Sequence, residues 1–220
     1  MGPALLYAPA KNFIFVHAWK TGGESVVRAL REYCPTHFRN RYINKAVRMA
    51  PMPARAVLGW RADLVTRQHA TAREIQQIMP PEAFDSAFKF AFIRNPWDWQ
   101  VSQYFYSLQS PAHPLHQSIK DMGSFDVFIR DQHSQGTHTA TMFLHDRDGR
   151  CLVDYIGRFE RIGEDFKTIC EKIGIEAELP HVNASKRKRD YHSYYTDETR
   201  DMVADLFQSD IEKFGYSWDD

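Results

Sequence analysis

The chain has 220 residues, 43% of them hydrophobic and 25% charged, the balance of an ordinary globular protein long enough to bury a real core. Lys and Arg total 28 and Asp and Glu total 28, so the formal net charge is zero; that excludes the cation excess bulk nucleic-acid binding needs, and any anion site must be local. No window holds the roughly 18–20 apolar residues of a membrane span, the amino-terminal MGPALLYAPAKNFIFVHAWK lacks the basic start of a signal peptide, and three widely spaced cysteines, Cys34, Cys151 and Cys170, fit a reduced, cytoplasmic location without disulfides or a zinc spacing.

In chain order, the apolar run Asn12 to His17 reads as a short buried strand. It runs into WKTGGES, and a helix follows from Gly23 to about Tyr33, with Val26, Val27, Leu30 and Tyr33 on one face. Cys34 to Trp60 holds three prolines and scattered bases and reads as irregular with some helix. Leu64 to His69 is expected to be a strand end. Thr71 caps a helix to Met79, stopped by Pro80 and Pro81.

The second clear strand is Lys89 to Arg94. Asn95-Pro96 starts the next helix, with Asn as N-cap, proline first and Asp98 third, running to about Leu108. Helical patterns recur at Phe125 to Arg130 and Asp165 to Ile173, with a strand at Val153 to Phe159 between them. One final helix is capped by Thr196, carries Met202, Val203, Leu206, Phe207, Ile211 and Phe214 on one face, and ends at Gly215. Strands alternating with helices predict an α/β domain.

WKTGGES sits where a parallel α/β fold places anions, at a strand's carboxyl end and a helix's amino end. Thr21, Gly22 and Gly23 can turn amides toward a phosphate-like group, Lys20 supplies charge and Ser25 a hydroxyl. The plain alternative is a tight turn with a surface lysine. The loop is not a Walker A motif, because Lys20 precedes the glycines. Arg94 ends the second strand where a nucleoside triphosphatase often has a magnesium-binding aspartate; an arginine repels a metal and attracts a phosphate. Ser102, eight residues on, lies on the following helix. Its alternative is a serine bonded to its own backbone, with Arg94 paired to Asp98.

Together the two motifs resemble the sulfotransferases that use 3′-phosphoadenosine 5′-phosphosulfate (PAPS), and within them the carbohydrate branch, with a layout similar to the uronyl 2-O-sulfotransferases. The likeness extends through LPHVNASKRKRDYHSYYTDETRDMVADLFQSDIEKFGY near the carboxyl end. It implies that Lys20, Thr21, Gly22, Gly23, Glu24 and Ser25 hold the 5′-phosphosulfate, and that Arg94 and Ser102 hold the 3′-phosphate. It also implies that the basic loop Ser185, Lys186, Arg187, Lys188 and Arg189 closes over the nucleotide, although a solvated loop or a nuclear-import patch has the same composition. Two positions depart from the family pattern: Glu24 where Thr or Ser is common, and Trp99 where an arginine is common.

His69, in RQHATAREI ahead of the second strand, resembles the catalytic histidine of the uronyl enzymes and is the candidate general base, a neutral imidazole suiting proton abstraction near pH 7. His17 and Glu24 are the alternatives, and His138 is placed in the acceptor cleft. Lys20 is the candidate for stabilising charge on the leaving oxygen. Trp97 and Trp99 read as packing residues. The expectation is a single α/β domain over residues 1–220, with a mostly parallel sheet of about four or five strands flanked by helices in a P-loop-like sulfotransferase fold. The resemblance implies transfer of a sulfuryl group from PAPS to a hydroxyl, expected on a glycan, with no metal. A P-loop-like nucleotide kinase and a non-catalytic nucleotide-binding or basic-loop adaptor are the other classes.

Overall fold

The computed structural model describes residues 6–35, 41–50, 59–67, 69–180 and 190–220. In chain order the elements begin with β1 (Leu6–Ala8), β2 (Phe13–Val16), α1 (Gly23–Leu30), α2 (Arg41–Met49), α3 (Trp60–Thr66), α4 (Ala72–Ile78) and α5 (Pro81–Ser86). There follow β3 (Phe88–Ile93), α6 (Pro96–Gln109), α7 (His116–Met122), α8 (Phe125–Gln135), α9 (Ala140–Leu144), β4 (Tyr155–Arg158), α10 (Ile162–Ile173), α11 (Asp197–Leu206) and α12 (Gln208–Phe214). The chain divides into two compact units, Met1–Ile93 with Met142–Val182, and Arg94–Thr141 with Asn183–Asp220.

The first unit holds a four-stranded sheet in the order β1-β2-β3-β4. β2, β3 and β4 are parallel, with Val16 opposite Ala91 and Ile93 opposite Arg158. All four residues of β2 are fully buried, as are Phe90, Ala91 and Phe92 of β3. Parallel strands covered on both faces need continuous apolar runs, which is what FIFV and FAFI supply. Burying each large side chain contributes about 1.5–3 kcal/mol.

The structure adds one element to the sequence reading and changes three expectations. β1 is an antiparallel edge strand pairing Leu6 with Phe15; three residues are too few for a period-2 signal. Leu64 to His69 is not a strand end: Trp60–Thr66 is helical, with Ala62 and Leu64 buried and the Arg61 guanidinium 4.4 Å over the Trp60 ring. Pro81 starts a further helix as its first residue instead of only ending the previous one. The final helix is two, α11 and α12, broken at Phe207 (φ −110°, ψ 19°). Neither glycine nor proline marks that break, and the apolar stripe stays continuous across it, with Val203 and Phe207 both buried.

The local signals at helix starts hold. Thr71 Oγ1 accepts from the Glu74 amide and the Glu74 carboxylate accepts from the Thr71 amide, a complete capping box. In the second unit Asn95 Oδ1 accepts from the amides of Trp97 (3.0 Å) and Asp98 (3.3 Å). Its Nδ2 donates to Ser217 O at 2.9 Å and to Tyr191 Oη at 3.3 Å. Trp97 is buried, as expected of a packing residue, and its indole N–H donates to Arg200 O at 2.9 Å. Trp99 packs its ring on Phe207. The start of α6 is therefore tied to the carboxyl-terminal helices of its own unit.

In the first unit the link from β4 to α10 is a single buried carboxylate. Asp165 accepts from Tyr155 Oη (2.8 Å), the Arg158 amide (2.7 Å) and Arg161 Nε (3.1 Å). Replacing the buried Asp165 by Ala leaves the half-buried Arg158 amide and Tyr155 phenol without this acceptor, and stability should fall by about 1–3 kcal/mol. A urea unfolding curve with a lower midpoint and an unchanged slope is the expected result; an unchanged midpoint would show that the carboxylate is dispensable.

Candidate active site

β2 ends at Val16, and the next six residues form the turn into α1. The turn has two left-handed residues, Lys20 (φ 61°) and Gly22 (φ 78°). Left-handed backbone suits glycine and is uncommon for lysine. At Gly22 a side chain is excluded twice over, because a Cβ there would also lie 2.6 Å from Ile162 Cδ1. Gly22 is the N-cap of α1 and provides no side-chain cap. The amino end of α1 thus opens onto the loop with glycine backbone only, the arrangement that lets main-chain N–H groups approach an anion.

The individual loop residues divide in their uses. Thr21 is buried and its hydroxyl donates to Ala18 O at 3.0 Å, which braces the turn. Ser25 is buried and its amide donates back to Gly22 O at 3.0 Å. Lys20 is half-buried and Glu24 exposed. Three buried apolar residues, Val26, Val27 and Leu30, hold α1 in place.

His69 lies between α3 and α4, two residues before the Thr71 cap. Its Nδ1 is 3.0 Å from the His17 carbonyl oxygen. A carbonyl only accepts, so Nδ1 carries the hydrogen and the neutral ring keeps its lone pair on Nε2. Burial holds the His69 imidazole below its usual range, opposed by the carbonyl hydrogen bond and by the charge of Glu24. The Trp19 ring lies 5.1 Å from the His69 ring and 5.3 Å from Phe143. Nothing in the spacing of the sequence marks the contact with Phe143.

His17 does not serve as an alternative base. It is buried, and desolvation, with the neighbouring His69 adding, pushes it down to about 3. So weak a base remains a neutral imidazole and takes up no second proton near pH 7.

In the second unit Arg94 is the first residue after β3. Its Nε and Nη2 donate to Asp98 Oδ2 at 2.7 and 2.5 Å, in a pair whose side chains are 7% and 13% exposed. The pairing set out above as the plain alternative is thus present. It also holds a guanidinium with five donors in one orientation. Ser102 is buried on α6. His138 is exposed. Ser185, Lys186 and Arg187, with the rest of the basic loop, lie outside the described residues. Among the described residues there is no group of three or more His, Cys, Asp or Glu side chains that could hold a metal. Among them, too, no helix is long and apolar enough to cross a membrane.

Comparison with known proteins matches these features. Over 99 residues the chain is 28% identical to an uncharacterized protein of Archaeoglobus fulgidus, covering 44% of this chain and 75% of that one. The family model described as "Sulfotransferase family" matches residues 3–217. That span includes the glycine loop, His69, Arg94 and both closing helices, and the chain belongs to the sulfotransferase family.

Proposed function

We propose that this sulfotransferase moves a sulfuryl group from PAPS to a hydroxyl of a glycan, with His69 as general base. The observation that carries the reading is the hydrogen bond from His69 Nδ1 to the His17 carbonyl. It leaves Nε2 as the basic nitrogen, with only Ala18 and Trp19 separating the accepting His17 from Lys20 in the chain. His69 Nε2 takes the proton of the acceptor hydroxyl as its oxygen attacks sulfur in line. The new O–S bond forms while the bond from sulfur to the bridging phosphate oxygen breaks. Lys20 and the amino end of α1 stabilise the negative charge that gathers on that oxygen, and 3′-phosphoadenosine 5′-phosphate leaves. Thr21 braces the loop, Gly22 and Gly23 allow close backbone approach, and Glu24 lines its rim. Arg94 and Ser102 are assigned to the 3′-phosphate. The basic loop with Ser185, Lys186 and Arg187 is assigned to closing over the nucleotide. A cytoplasmic location belongs to the same reading, supported by three free cysteines.

Calorimetry with 3′-phosphoadenosine 5′-phosphate against ATP with magnesium tests the donor class, and labelled PAPS with a panel of glycans tests the acceptor. Preference for ATP with magnesium would overturn the proposal.

Arg94→Ala should weaken binding of 3′-phosphoadenosine 5′-phosphate by about 1.5–3 kcal/mol, the range for a lost charged hydrogen bond. Adenosine 5′-phosphosulfate lacks the 3′-phosphate, and its affinity should change little. Equal losses for both ligands would mean that Arg94 acts through the fold and not through that phosphate.

His69 must be neutral to accept a proton. Its folded-state pKa is lowered from 6.5, so turnover should be level at neutral pH and fall only on the acid side, along a limb lying below 6.5. His69→Ala should lose roughly 10²- to 10⁴-fold in rate with donor affinity retained. An acid limb that persists unchanged in His69→Ala belongs to another group.

A further inference from the structure

We infer that His17 is a positioning residue that ties the general base to the donor loop through its buried ring. The inference deepens the proposed function and rests on its assignment of His69 and of the loop. His17 follows β2 directly, and its imidazole stacks on Phe15 at 5.4 Å and 21°. On one side it meets the His69 ring edge-on at 4.7 Å. On the other it fills the space beside Gly23, where a Cβ would lie 2.2 Å from both Cδ2 and Nε2 of the imidazole. Its carbonyl is the acceptor that sets the His69 tautomer.

Gly23 is informative because its backbone does not require glycine: it is not among the positive-φ residues. An alanine would fit the first turn of α1 on conformational grounds. Only the His17 ring forbids it. Nδ1 of His17 is buried without a hydrogen-bond partner, so the side chain is held here by shape against two neighbours and not by a polar contact of that nitrogen. A displacement of α1's first residue is therefore passed by one rigid, neutral ring to the base. The charged group that acts on His69 is Glu24, and His17 acts on it through the carbonyl hydrogen bond, while His69 in turn lowers His17.

The test reads His69 by nitrogen NMR of ¹⁵N-labelled imidazoles, which distinguishes the two tautomers and follows the titration without any acceptor. Wild type should show Nδ1–H on His69. Gly23→Ala, which changes a residue with no ring to offer His69, should nonetheless shift the His69 signals by pressing on His17. In His17→Ala, which removes a ring that buries His69, the His69 titration should move up toward its ordinary value. Adding Gly23→Ala to that variant should then change His69 no further. A Gly23→Ala protein that melts lower but keeps the wild-type His69 tautomer and titration would overturn the inference. So would a His17→Ala protein with an unchanged His69. Where Gly23→Ala does not fold, 3′-phosphoadenosine 5′-phosphate supplies the same push: it should shift the His69 signals in wild type and not in His17→Ala, and equal shifts in both overturn the inference. If that nucleotide fails to bind wild type, the proposed function falls, while the His17→Ala titration still decides the role of His17.

Discussion

The space beside residue 23 is already occupied, and much of the first unit follows from that. The His17 ring takes the volume a Cβ would need, which lets α1 start close against the end of β2. The close start depends in turn on β2 being a straight, fully buried strand whose last side chains cannot swing outward. The left-handed turns at Lys20 and Gly22 then bring the chain from strand to helix in very few residues. The same ring sits edge-on to His69, whose own chain position is set by the capping box at Thr71. A strand, a loop, a helix start and the His69 ring are thus referred to one small aromatic group.

What could be read in the residues divides by range. Signals that depend on neighbours in the chain survive intact: the apolar runs of β2 and β3, the Asn95-Pro96 and Thr71 helix starts, and the glycine stop after α12. The two strand-to-helix turns, after β2 and after β3, belong to the same class, because such a turn is local. What fails is either too short for a period, as in β1 and α3, or decided by distant packing, as at Phe207. The site has the same division. Lys20, the two glycines and Arg94 announce themselves by spacing. The surroundings of His17 do not: a histidine at a strand end has the same appearance in the sequence whether or not it is buried, and only the structure sets its ring against Gly23 and His69.

The second unit treats its cation differently from the first. Arg94 leaves β3 already paired with Asp98, and the cap on the same helix, Asn95, is satisfied on both sides of its amide. Such a pair is costly to break in a buried setting, because removing either partner leaves the other charge desolvated. Lys20 sits instead on a left-handed loop residue, half-buried, with four carbons of stem to move through. Arg94 is oriented by its ion pair; under the proposed function it recognises an anion, while Lys20 meets the charge that grows as a bond breaks.

The contact between Trp19 and His69 has an optical consequence. An indole excited beside an imidazole loses more of its emission when the imidazole is protonated, since the imidazolium is the better electron acceptor. The chain therefore carries a built-in fluorophore against its candidate base. The difference in emission between the wild type and a Trp19→Phe protein isolates that fluorophore from the other four tryptophans. It makes the protonation of one histidine visible in dilute solution, in milliseconds, and without an isotope.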